Sequence, residues 1–312
     1  MTKTVFKSAA TLAAGLLVAT TAAACSGRSE SGAAIDVVVS FYPLQFVAER
    51  VGGDDVSVTN LTPAGAEPHD MELEPRQMAD ITDADLVVYL GGFQPEFDAA
   101  IDQQAGNRSL DIAAVTEPIE ADEHDGHDHE ADDHEGHDHG GVDPHVWLDP
   151  TRMVEIVSAV ADRFAEVDPE HADTYRANAT TLTEELTTLD GEYEEGLAQC
   201  DSRDLVVSHA AFGYLAARYD LHQIAVSGLT PEADPGSDAI ATVSEYVREH
   251  GVTTVFYETL VDPQVAETIA DETGADTAVL DPIEGLAEGD DGDYLSVMRS
   301  NLSTLRPALG CE

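Results

Sequence analysis

The chain has 312 residues, with 14 basic and 62 acidic side chains and a formal net charge of −48. Its only lysines are Lys3 and Lys7, so from Cys25 onward twelve arginines face 62 acids, a net charge of −50. Such a field excludes nucleic acid and anionic membrane as partners and attracts cations, although most of these acids serve as a solubilising surface. With 43% hydrophobic residues, the length suffices for two modest domains.

In chain order, Lys3 and Lys7 open a segment whose residues 8–24 carry no charge and end in Ala22-Ala23-Ala24-Cys25. A basic start, a short apolar run and small residues before the cut predict a signal peptide over 1–24. The apolar run is too short for a membrane span. Small residues before Cys25 resemble a bacterial lipobox, with Ala22 where Leu is more usual. Lipidation at Cys25 would anchor the chain to the outer face of the cell membrane, and without it the chain would be periplasmic. Residues 25–34 read as a tether. The remaining thiols, Cys200 and Cys311, are candidates for one disulfide.

Strand-like runs then alternate with helical patterns. Asp36–Ser40 precedes an apolar stripe at Leu44, Val47, Ala48 and Val51. Further strands are predicted at Val56–Asn60 and Asp85–Leu90, and a helix at Pro150–Glu166. The longest helical signal starts with Asp168 as cap and Pro169 in the first turn. It carries Tyr175, Ala179, Leu182, Leu186, Leu189, Tyr193 and Leu197 on one face. Later strands are predicted at Asp204–Ser208, His222–Val226, Val252–Tyr257 and Thr277–Leu280, with helices at Ala210–Tyr219, up to His250, and from Asp262-Pro263 to Gly274. This alternation predicts parallel sheets covered by helices. The predicted organisation is an α/β fold of two lobes, 35–166 and 199–312, joined by a long rigid helix within 167–198.

Residues 120–141 interrupt this rhythm with ten acids and six histidines, His124, His127, His129, His134, His137 and His139. Nearly free of apolar side chains, the tract cannot form a core. It is expected to be a mobile loop that captures zinc weakly and releases it as pH falls toward 6. Isolated histidines matter more. In open parallel sheets ligands bind beyond the carboxyl ends of strands. There the sequence places His209, Glu258 and Asp281, with His69 and His145 on loops. Three imidazoles and the carboxylate of Asp281 make a plausible tetrahedral zinc shell.

The segments GAEPHDMELEP, DLVVYLGGFQPEFDAAI, DPHVWLDP, SHAAFGYLAARY, TPEADPG, VFYETLVDPQVAETIADETG and LDPIEG together resemble the ZnuA-type (cluster A) zinc-binding lipoproteins of ABC importers. The resemblance covers essentially the whole chain after the signal. It implies two (β/α) lobes, a linking helix, and zinc in the cleft on His69, His145 and His209. The fourth ligand is assigned to Asp281, with Glu67 and Glu258 as substitutes. It also implies a monomeric receptor that hands Zn2+ to a membrane permease. Manganese-binding relatives usually place Glu where this chain has His209, and a nitrogen-rich shell favours zinc. The resemblance does not support the Cys200–Cys311 pairing. A zinc hydrolase is disfavoured because HExxH and HxxEH are absent. The alternatives are a manganese or iron receptor of the same fold and a zinc-binding surface adhesin.

Overall fold

The computed structural model describes Met1 and residues 34–69, 71–119, 141–231, 235–289 and 292–312. Residues 2–24 of the signal segment, Cys25 and the six histidines of the acidic tract lie outside these residues. All elements below belong to the unit Gly32–Glu312.

The first lobe contains strands β1 (Ile35–Val39), β2 (Val56–Asn60), β3 (Leu86–Tyr89) and β4 (Ser109–Asp111), with helices α1 (Tyr42–Gly52), α2 (Pro75–Asp83) and α3 (Pro95–Gln104). Two helices follow, α4 (Pro150–Val167) and α5 (Ala172–Gly196). The second lobe holds β5 (Asp204–Val207), β6 (His222–Ala225), β7 (Thr254–Tyr257) and β8 (Asp276–Val279), with helices α6 (Gly213–Tyr219), α7 (Ser237–His250), α8 (Gln264–Thr273) and α9 (Tyr294–Ala308). Strand order is β2-β1-β3-β4 in one sheet and β6-β5-β7-β8 in the other, and every pairing is parallel. The lobes therefore share one topology, and in each the chain reverses its winding beside the first strand. That switch point, between β1 and β3 or between β5 and β7, is where open α/β sheets bind ligands.

Burial explains the sequence pattern. Strand β1 is buried except at Asp36, as expected where helices cover both faces of a parallel sheet. Val37 and Val39 face a core shared by both lobes and α4, α5 and α9, whereas Val38 joins Ile81, Val87, Phe97 and Ile101 under α2 and α3. A matching outer cluster in the second lobe contains Val206, Ile224, Val255 and Ile269.

Helix α5 buries Tyr175, Ala179, Leu182, Leu186, Leu189 and Tyr193. Its 25 residues span about 38 Å at 1.5 Å per residue. Charged side chains on its other face reach both lobes: Glu185 pairs with Arg50 of α1, Asp190 with Arg218 of α6, and Glu192 with Arg299 of α9. The predicted cap, Asp168, is three residues early, because the helix is preceded by His171. Asp168 follows the end of α4 instead, and its Oδ2 accepts from His171 Nδ1 at 2.6 Å and the Tyr175 hydroxyl at 2.7 Å. These bonds close the turn between the two helices. Cys200 and Cys311 are bonded to each other, tying the loop after α5 to the segment beyond α9. No helix among the described residues is long and apolar enough to cross a membrane.

Candidate metal centre

Four side chains converge where the strand ends of the two lobes meet: His69, His145, His209 and Glu284. His69 lies in the loop between β2 and α2. The Gln94 amide holds that loop by donating to Pro68 O at 3.0 Å, and Phe93 packs edge-on against the imidazole with centroids 4.7 Å apart. His145 precedes the short turn that leads to Asp149, which caps α4 by accepting from Thr151 N at 2.8 Å. His209 follows β5, and Glu258 follows β7, at the switch point of the second sheet. Glu284 lies in the loop after β8. His145 and His209 are fully buried and Glu284 is 2% exposed.

The spacing is that of a coordination shell. Glu284 Oε1 lies 3.3 Å from His69 Nε2, 3.0 Å from His145 Nε2 and 3.4 Å from His209 Nε2. The Nε2 atoms of His145 and His209 are 3.5 Å apart. Ligand atoms about 2.0–2.1 Å from a tetrahedral zinc are separated by about 3.3 Å. The tautomers agree. Ionised carboxylates only accept, so His145 Nδ1 donates to Asp143 at 2.7 Å and His209 Nδ1 donates to Glu258 at 2.5 Å. Each neutral ring then presents its Nε2 lone pair to the common centre. Lone pairs and a carboxylate oxygen pointing at one spot repel unless a cation or protons lie between them. Carboxylates behind ligating imidazoles are the usual means of orienting them and raising their basicity.

Without a cation, protons meet that need. Burial acts to lower His209, but hydrogen bonds and charge from Glu258 and Glu284 prevail and raise it to about 10. Burial likewise opposes, and Asp143 and Glu284 outweigh it, so that His145 is raised. Glu284 is held well below the usual carboxylate range: burial acts upward, but hydrogen bonds from the three imidazoles overcome it.

The structure gathers His69, His145 and His209 with Glu284, and Asp281 is not among these four. Asp281 is turned to other partners: Oδ2 accepts from the Thr259 hydroxyl at 2.8 Å and Oδ1 from Ile283 N at 2.7 Å. Ile283 has φ +59°, a left-handed conformation that costs a β-branched residue on the order of 1–3 kcal/mol. That turn carries the chain past Asp281 and presents Glu284. Neither substitute is in the cluster. Glu67 accepts from His69 N at 3.1 Å, and Glu258 lies behind His209. Pro282 and Gly285 around Glu284 mark the loop in the sequence and are the signal that could have found it. A cavity of about 470 Å3 reaches His69 and is bordered by Pro118, two residues before the histidine-rich tract, and by Gly141, its last residue.

Two parallel-sheet lobes with a buried three-imidazole, one-carboxylate cluster between their strand ends define a two-lobed metal-binding class. More particularly, the chain belongs to the ZnuA family, "Zinc-uptake complex component A periplasmic", whose family model matches residues 37–308. It is 37% identical over 286 residues to the zinc-binding protein AdcA of Streptococcus pyogenes, covering 87% of this chain and 55% of that protein. It thus spans about half the length of the streptococcal curated relatives it matches. It is 34% identical to the high-affinity zinc uptake system protein ZnuA of Bacillus subtilis, covering 92% of this chain and 93% of that one. Among solved structures it resembles Zn(II)-bound AdcA of Streptococcus pneumoniae, with TM-score 0.74, 32% identity, and coverage of 88% of this chain and 57% of that one. It also resembles the laminin-binding protein Lmb of Streptococcus agalactiae, with TM-score 0.76, 29% identity, and coverage of 88% and 99%.

Proposed function

We propose that this chain is an extracytoplasmic receptor that binds Zn2+ between its lobes and delivers it to the permease of an ABC importer. The observation that carries this reading is the convergence of three imidazole nitrogens on one Glu284 oxygen at 3.0–3.4 Å. Four protein donors complete a tetrahedron and leave no place for the water that a zinc hydrolase must activate, so the arrangement favours binding over catalysis. Nitrogen-rich donors favour zinc over manganese or iron. The lipid anchor on Cys25 gains support from the S. pneumoniae relative, which is named a zinc-binding lipoprotein. Ion pairs from α5 to both lobes restrain their opening, so release to the permease proceeds from a braced frame.

The test is competition for metal. Protein stripped of metal should bind one Zn2+ tightly and prefer it to Mn2+, and His209→Ala should abolish tight binding. Unchanged affinity in that variant would sink the reading. A second reading, adhesion, is favoured by the likeness to Lmb, described as bifunctional with adhesin and metal-transporting activity. Saturable binding of laminin to the purified chain would support it.

A further inference from the structure

We propose that Asp281 is a positioning residue for zinc binding: it locks the left-handed turn at Ile283 and so aims Glu284 at the three imidazoles. The inference rests on the reading of the four-residue cluster as a zinc site.

The three successive peptide units that lead into Ile283 are held. Asn301 of α9 clasps Asp281, its amide nitrogen donating to Asp281 O at 2.7 Å and its amide oxygen accepting from Asp281 N at 3.0 Å. Trp147, two residues after His145, donates through Nε1 to Pro282 O at 2.6 Å. Asp281 Oδ1 takes the Ile283 amide at 2.7 Å, while Thr259 fixes the other oxygen at 2.8 Å. The Ile283 side chain is fully buried in the shared core. Immediately beyond it comes Glu284, whose carboxylate contacts the imidazoles of His69, His145 and His209.

An isoleucine at φ +59° persists only where its surroundings over-determine it. Relaxation to the ordinary helical value rotates that bond by roughly 120° and carries the next residue, Glu284, off its target. The Asp281 carboxylate is the contact that holds the strained residue's own amide, so it is the natural lock. The same contacts couple the ligands, because Trp147 links the His145 segment to the Glu284 turn across the two lobes.

The experiment is a double-mutant cycle read by zinc affinity in chelator competition, on the chain after its signal segment. Asp281→Ala should weaken zinc binding by about 10- to 100-fold, the range for residues that orient metal ligands. Asp281→Asn, whose amide oxygen still accepts from Ile283 N, should recover most of that loss. In a Glu284→Ala background, Asp281→Ala should change affinity by less than about threefold, because a residue acting through Glu284 has nothing left to aim. A general weakening of the fold would instead lower affinity equally in both backgrounds. If Asp281→Ala does not fold, Thr259→Val, which removes one partner of the carboxylate, carries the same cycle. Full additivity, or an Asp281→Ala protein that binds like the parent, overturns the proposal. A parent protein that binds no zinc would instead overturn the zinc-site reading on which it rests.

Discussion

Raising the pH should weaken the metal-stripped fold while tightening zinc binding, and both trends trace to His209. Burial acts to lower this imidazole, yet Glu258 and Glu284 raise it from 6.5 to about 10. A histidine raised above its unfolded value stabilises the fold fully below the unfolded value and loses that contribution as pH climbs through the folded one. The window is therefore about pH 6.5 to 10. At about 1.4 kcal/mol per unit, the loss across it is at most about 5 kcal/mol, or on the order of 10 °C in Tm. Zinc accepts only deprotonated nitrogen, so binding must expel the proton. His145, also raised, adds a second. Near pH 6 about two protons should leave per zinc, and apparent affinity should rise about 100-fold per pH unit. Calorimetry in buffers of different ionisation enthalpy counts the protons, and thermal scans of stripped protein follow the fold. Zinc binding that releases no proton, together with a stripped-protein Tm that rises between pH 7 and 9, would refute the reasoning.

Two further predictions concern the frame. Replacing Cys200 and Cys311 by serine removes a cross-link over 111 residues, and denaturant unfolding should show a loss of about 4–5 kcal/mol; a loss under about 1 kcal/mol would contradict that role. At Gly213 a Cβ would collide with Asp143 Oδ2, and Asp143 Oδ1 holds both the amide and Nδ1 of His145. Gly213→Ala should cost about 1–3 kcal/mol of stability and weaken zinc binding about tenfold, with little further effect on affinity in an Asp143→Ala background; an equal affinity loss in both backgrounds would count against this coupling.

The parts of this protein legible in its sequence are those where burial writes a period. β2 spans Val56–Asn60 as read, and the α5 stripe from Tyr175 to Tyr193 is buried throughout. The start of α5 misleads because Asp-Pro resembles a cap, while Asp168 actually serves the turn after α4. β4 has only three residues, each half-buried, and α2 buries Ile81 alone, so neither leaves a strong pattern. Helices α3 and α9 likewise fall outside the sequence pattern, the latter despite its capping box at Asp293 and Ser296. The three histidines were readable because they stand singly on loops and strand ends. Glu284 was not, because the rule that favours strand ends selects Asp281, and only the turn at Ile283 carries the chain to the next carboxylate. Asp143 and Glu258, which orient two of the imidazoles, became visible as partners only through distances of 2.7 and 2.5 Å.

The most direct test of the central claim is a crystal structure of the zinc-loaded protein with anomalous data collected at the zinc edge. The account predicts one strong peak bonded to Nε2 of His69, His145 and His209 and to Glu284 at about 2.0–2.2 Å, with Asp281 still on Thr259 and Ile283. A zinc bound to Asp281 in place of Glu284, or lying away from the three imidazoles, would contradict it.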